Sequence, residues 1–186
     1  MKGVIFNLLE AVATERWGED AWDDILEAAG VEGAYTAIGN YADEEFQVLL
    51  LKLPTDEPVD TRLRWFGRSA MPLLARRYPE FFVEYPNTYH FLLTINDVIH
   101  REVRKLYPDA DVPVFDLEPS GDLAEGGVRR VIMGYRSARR LCRLAEGFIL
   151  GAADHFGEEV HVSQRECMLL GADRCVLVCT FRKGLQ

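Results

Sequence analysis

The chain has 186 residues, of which 48% are apolar and 27% charged, with a formal net charge of −9. That length suits one domain or two tightly joined subdomains, with a core large enough to enclose a cofactor. The acidic balance argues against nucleic acid and anionic membrane surfaces as partners, and no apolar stretch is long enough to span a bilayer.

Taken in chain order, residues 2–17 read as a helix, with Val4, Leu8 and Val12, and Ile5 and Leu9, at helical spacing. Gly18 ends it. Asp20 is expected to cap a second helix whose inner face holds Trp22, Ile25 and Leu26. A turn follows at Gly30–Gly33, and Asp43 is expected to cap a third helix running to Lys52. The stretch Pro54-Thr55-Asp56-Glu57-Pro58 reads as a loop that closes an N-terminal helical lobe over 1–58. Residues 60–77 are helical again, with a break or kink expected near Pro72.

A long helix is expected after Pro86, with Phe91, Leu92, Ile95, Val98, Ile99 and Leu106 as one apolar stripe, stopped at Tyr107-Pro108. The period then changes. Val112, Val114 and Leu117 suggest a strand, Ser120-Gly121-Asp122 a turn, and Val128 to Tyr135 a second strand after Gly126-Gly127. Residues 139–156 read as an apolar helix capped by Gly157, followed by strands over 160–165 and 174–181 around the turn Gly171-Ala172-Asp173. The expected fold class is α+β: an N-terminal helical lobe and a C-terminal lobe over 59–186 with a four-stranded antiparallel sheet and helices.

Two features carry chemistry. Tyr135-x-Ser137-x-Arg139 places a phenol, a hydroxyl and a guanidinium two residues apart, so an extended backbone would put them on one face. Such donors suit a pair of carboxylates. Haem carries two propionates and needs one axial ligand, which His100 can supply. Taken singly, each has a plainer reading: a polar strand face, and a histidine that is structural, as are His90, His155 and His161. The four cysteines, Cys142, Cys167, Cys175 and Cys179, are expected to be reduced thiols or metal ligands in a cytoplasmic chain.

Together these features resemble the haem nitric oxide/oxygen binding (H-NOX) family, which also supplies the haem domain of soluble guanylate cyclase. The resemblance runs from Met1-Lys2-Gly3-Val4-Ile5-Phe6-Asn7 through Trp22, the segment Asp97–Pro108, Pro113 and Tyr135–Arg139 to Glu146-Gly147 and Gly171-Ala172-Asp173. It implies a single domain holding haem b between the lobes. His100 would be the axial ligand, Tyr135, Ser137 and Arg139 the propionate clamp, and Pro113 the residue pressing on the porphyrin. Ile5, Leu9, Ala70, Met71, Leu144 and Phe148 would form the other pocket walls.

The resemblance also bears on the ligand. Oxygen-binding members hold bound O₂ with a distal tyrosine supported by a tryptophan and an asparagine. Leu144, Leu9 and Ala70 stand at those positions here, and none can donate. A charge-assisted hydrogen bond contributes about 1.5–3 kcal/mol, roughly 10- to 100-fold in affinity. The implied function is therefore a sensor of NO and CO that excludes O₂ and is not an enzyme. NO binding would release His100 from iron, and the chain would signal in trans to a histidine kinase or a cyclic-di-GMP enzyme. Two other classes remain open: a haem-free small-molecule-sensing module with a zinc site, and a haem peroxidase, for which the matched pocket positions offer no acid/base pair.

The cysteines resemble a zinc site of some bacterial members, built from three cysteines and a histidine. Cys142, Cys167 and Cys175 match it, but Gln164 stands where histidine is expected. His161, on the same strand face as Cys167 by simple alternation, is the substitute ligand expected, with Cys179 a further candidate.

Overall fold

The computed structural model describes residues 1–124 and 128–182. Its elements are α1 (Gly3–Trp17), α2 (Glu19–Ala29), α3 (Asp43–Lys52), α4 (Val59–Arg77), α5 (Thr88–Leu93), α6 (His100–Leu106), β1 (Val114–Ala124), β2 (Val128–Arg136), α7 (Cys142–Phe156), β3 (Glu159–Glu166) and β4 (Cys175–Arg182). The four strands form one antiparallel sheet in the order β1-β2-β4-β3, so the α+β expectation holds. Val131, Met133 and Tyr135 of β2 and Cys175, Leu177 and Cys179 of β4 are buried together on the face that meets α7.

A second core lies in the N-terminal lobe, where Phe6, Leu9, Phe46, Leu49 and Phe66 are fully buried. The long helix α4 serves both cores: Leu63, Phe66 and Ala70 face the first lobe, Met71 and Ala75 the second. The loop at 54–58 is thus a chain boundary, whereas α4 is common structural ground.

Helix α4 does not break at Pro72; it continues from Val59 to Arg77 with the proline inside. Pro72 has no N–H for the Arg68 carbonyl four residues earlier. That carbonyl is instead covered by Gly151 of α7, where an added Cβ would stand 2.5 Å from the oxygen. Gly147, one turn earlier, meets the Arg64 carbonyl in the same way, at 2.3 Å from an added Cβ. The two helices therefore touch backbone to backbone. Ion pairs flank the contact: Arg64 and Arg143 both hold buried Glu146, at 2.8 and 3.0 Å, and Arg68 grips Asp154 through two nitrogens.

Four other local expectations are corrected. Neither Asp20 nor Asp43 is a cap: Asp20 sits in the first turn of α2, and Asp43 opens α3 with its carboxylate directed elsewhere. The turn expected at 120–122 is absorbed into β1, whose register shifts between Ser120 and Ala124; a bulge takes up the extra residues. The turn at Gly126-Gly127 lies outside the described residues. The helix expected from Pro86 to Tyr107 is three pieces, with a π-helical stretch at Ile95–Ile99 between α5 and α6.

Candidate functional site

The π-helical stretch widens the helix by one residue per turn immediately before His100, the first residue of α6. Such insertions re-aim the side chains after them and are common at functional sites. Asn96, inside the stretch, is fixed to the start of β1: its Nδ2 donates to the Phe115 carbonyl at 2.5 Å, and its Oδ1 accepts from the Phe115 N–H at 3.1 Å. This double bond to the backbone sets His100 against Pro113 and Phe115, with the His100 and Phe115 rings 5.9 Å apart.

His100 faces a cavity of about 300 Å³ between the lobes, a size within the range of small-molecule pockets. The walls are nearly all apolar. Ile5 of α1, Met71 of α4, Pro113, and Leu144 and Phe148 of α7 line it. Leu9 and Ala70 do not: both are fully buried in the N-terminal core, packed near Phe66. Their expected place in the wall came from the resemblance, and packing places them one layer back.

Burial pushes the His100 pKa from 6.5 down to about 4; the nearby Arg104 charge acts in the same sense, and the Pro113 carbonyl opposes it. The imidazole is therefore neutral at pH 7, the form that binds metal. Its Nδ1 is buried and completes no hydrogen bond of normal geometry among the described residues, although the Pro113 carbonyl lies near enough to act on the ring. A histidine kept neutral in the folded state disfavours folding once the unfolded chain takes up a proton. The haem-free protein should lose roughly 3 kcal/mol as pH falls from 6.5 to 4. Urea unfolding of haem-free protein at pH 7 and pH 4.5, compared with a His100→Leu variant, checks this: the variant should lose less stability on acidification.

Tyr135, Ser137 and Arg139 all line the cavity mouth, but not as one strand face. β2 ends at Arg136, and the chain turns through Ser137–Arg140 with Arg140 in the left-handed region at φ 52°. The Ser137 hydroxyl accepts the Arg139 N–H at 3.3 Å, and the Tyr135 hydroxyl accepts the Leu141 N–H at 3.0 Å. Each hydroxyl thus builds the turn by accepting a backbone N–H, and the Ser137 hydroxyl also lies close enough to act on the Tyr135 phenol. The Arg139 Nε donates to Asp43 at 2.7 Å and Nη1 to the Asp111 carbonyl and carboxylate at 2.6 and 2.7 Å, while Nη2 makes no hydrogen bond among the described residues. Two hydroxyls and a free guanidinium edge at one cavity mouth fit a pair of carboxylates.

Sequence reading missed the partners of this clamp. The Met1 ammonium bonds Asp43 at 2.8 Å and the Tyr41 carbonyl at 2.5 Å, so Asp43 ties the chain's start to Arg139. Burial opposes ionisation of Asp43, but its hydrogen bonds to the Met1 ammonium and Arg139 win and hold its carboxyl below the usual range. At the other end of the cavity the Tyr78 and Tyr107 hydroxyls hydrogen-bond each other, joining the ends of α4 and α6. Burial, and after it this bond, pushes the Tyr107 pKa up to about 12.

Behind α7 and the sheet, Cys142, Cys167 and Cys175 bring their sulfurs within 4.8 Å of one another, all buried. His161 is not with them. It is exposed, because β3 shifts register between Gln164 and Glu166 and simple alternation fails across that bulge. Cys179 also points elsewhere, with its thiol 3.7 Å from the Met133 sulfur. Burial pushes the Cys142 thiol up to about 12. Burial opposes ionisation of Cys167 too, but its hydrogen bonds, the Leu169 N–H foremost, outweigh it and lower that thiol's pKa.

The sequence matches the family model described as Haem-NO-binding over residues 2–164. No curated protein matches. Among solved structures, an H-NOX protein from Shewanella oneidensis in the Fe(II)NO state is 30% identical, with a TM-score of 0.88 over 98% of this chain and 100% of that one. The same organism's H-NOX domain in the Fe(II)CO state is 31% identical, with a TM-score of 0.83 over 96% and 97% of the two chains. The Fe(II) unliganded H-NOX protein from K. algicida is 26% identical, with a TM-score of 0.85 over 100% and 99%.

Proposed function

This chain belongs to the haem-NO-binding (H-NOX) family, and from that premise we propose that it is a haem-based sensor of NO and CO that excludes O₂. The observation that carries the reading is His100: a neutral imidazole whose Nδ1 completes no hydrogen bond of normal geometry among the described residues, in an apolar cavity whose mouth presents the donors of Tyr135, Ser137 and Arg139. These residues fit haem b, His100 as axial ligand and the three donors on the propionates. Haem supplies the ferrous centre at which a diatomic gas binds. Loading with haem should give about one equivalent per chain and a strong Soret band. A protein that stays colourless would favour the alternative, a haem-free small-molecule module.

Ile5, Met71, Leu144 and Phe148 supply no hydrogen-bond donor to a gas in the cavity, and the Tyr78 and Tyr107 hydroxyls are held to each other, with one of their two protons in the shared bond. This supports discrimination against O₂, whose bound form gains most from a donor, and it supports a sensor rather than a peroxidase, which needs an acid/base pair. A Leu144→Tyr variant should hold O₂ roughly 10-fold or more tightly than wild type. Measurable O₂ affinity in the wild type would contradict the reading.

Signalling would begin at His100. Were His100 freed from a bound haem, α6 would lose a tether at its first residue and keep the Tyr78–Tyr107 bond at its end, while Asn96 would keep the preceding π-helical stretch attached to β1. Asp111, in the loop after α6, is bonded to Arg139, and Arg139 to Asp43 of the N-terminal lobe, so a shift of α6 has a route to the other lobe. The recipient proposed is a histidine kinase or cyclic-di-GMP enzyme in trans, in a cytoplasmic bacterial setting, a reading supported by the family resemblance. Among the described residues no helix is long and apolar enough to cross a membrane. The zinc expected from the cysteines finds three ligands of four: Cys142, Cys167 and Cys175, without His161.

A further inference from the structure

The three-thiol cluster is geometrically ready for a metal, independently of the haem reading. The Cys142 and Cys167 sulfurs are 3.9 Å apart, and all three sulfurs lie within 4.8 Å of one another. Three sulfurs each about 2.3 Å from one ion stand roughly 4 Å apart, so little movement is needed to close around it. The thiols come from three elements, α7, the turn after β3 and β4, and Cys142 and Cys175 are fully buried while Cys167 is 6% exposed. The Met168 N–H donates to the Cys175 sulfur at 3.2 Å, which fixes that sulfur in the cluster.

The fourth position is where the cluster departs from a zinc site. Structural zinc is almost always tetrahedral, with four thiolate or imidazole ligands. The inward-facing residue here is Gln164, and its amide Oε1 and Nε2 are both buried without a hydrogen-bond partner among the described residues. It faces the Cys142 thiol without completing a hydrogen bond of normal geometry. An amide is a weak ligand to zinc. His161, the nearest imidazole on the same strand, is turned to solvent by the bulge that follows Gln164.

We propose that Cys142, Cys167 and Cys175 form a three-thiolate site for a soft cation that accepts three-coordination, cuprous copper being the physiological ion of that class, and that Gln164 makes the site a poor one for zinc. Soft sulfur ligands select such ions, and three-coordination asks nothing of the amide. Binding converts thiols to thiolates and releases their protons to solvent, with no change in oxidation state of sulfur or metal. The Gln164 amide then lies beside the thiolates, where its Nε2 can donate to sulfur.

The test uses the haem-loaded 186-residue chain under anaerobic, reducing conditions, with cuprous ion or zinc added alone and each challenged by a chelator of known affinity. The wild type should retain about one equivalent of cuprous ion, with thiolate-to-copper absorption in the near ultraviolet, and should lose zinc to the chelator. Cys142→Ala should lose the copper signal while its Soret band is unchanged. Gln164→His should raise zinc affinity so that zinc survives the chelator challenge, because it supplies the fourth imidazole or thiolate ligand that tetrahedral zinc takes. Wild-type protein that holds zinc as firmly as Gln164→His, or that retains no cuprous ion, would overturn the proposal. Should Cys142→Ala fail to fold, Cys167→Ser, at the least buried position of the three, gives the same reading.

Discussion

Replacing His100 by glycine is expected to abolish the native five-coordinate ferrous haem spectrum while leaving haem in the cavity. The helix start at residue 100 is held by neighbours, not by the imidazole: Asn96 bonds both backbone groups of Phe115, and the His100 Nδ1 completes no hydrogen bond of normal geometry among the described residues. Tyr135, Ser137 and Arg139 lie apart from the change and, on the proposed reading, would continue to offer their donors to the propionates. Free imidazole is smaller than the cavity of about 300 Å³ and should enter the space left behind and restore the spectrum. Absorption spectra of the reduced variant with and without imidazole decide the matter. A native spectrum without imidazole would remove His100 from its assigned place.

The second large effect is expected at a residue that touches no ligand. Gly147→Val should destabilise the protein by about 3 kcal/mol and lower the thermal midpoint by roughly 6–12 °C. An added Cβ at 147 would stand 2.3 Å from the Arg64 carbonyl oxygen and 3.0 Å from the Arg64 Cα, both backbone atoms of a long helix that cannot step aside alone. Separating α4 from α7 would also stretch the ion pairs of Glu146 and part the walls that carry Met71, Leu144 and Phe148. Haem dissociation should therefore be faster in this variant. An unchanged midpoint would show that the two helices are less tightly engaged than the geometry states. Calorimetry together with haem transfer to an acceptor globin measures both quantities.

Much of this architecture was legible in the sequence because its signals are local. Helical periodicity in residues 2–17, Gly157 at a helix end and the strand alternation from Val128 to Tyr135 all appear where expected. The features that escaped are those set by contacts between distant segments. Asp43 looks like a helix cap until the Met1 ammonium and Arg139 are beside it. The stripe from Phe91 to Ile99 reads as one helix, since a single extra residue per turn leaves the apolar pattern almost unchanged; the π-helical stretch shows only in three dimensions. A one-residue bulge in β3 suffices to send His161 outward and Gln164 inward, reversing an inference drawn from alternation. Tyr135, Ser137 and Arg139 were found by spacing, yet their convergence rests on a turn, with Arg140 at φ 52°, and not on an extended strand. Leu9 and Ala70, which do not line the cavity, were inferred from resemblance, and neither position carries a local signal of which side of a buried helix the cavity occupies.

The central claim is that one neutral imidazole holds haem iron in a cavity where Ile5, Met71, Leu144 and Phe148 give no hydrogen bond to a bound gas. The most direct measurement is the visible absorption of haem-loaded, reduced, anaerobic protein before and after addition of NO, followed by exposure of the NO-free sample to air. The account predicts a shift of the Soret band with NO, arising from loss of the His100 bond, and no stable oxygenated spectrum in air. A spectrum that NO leaves unchanged, or a stable oxygen complex, would contradict it.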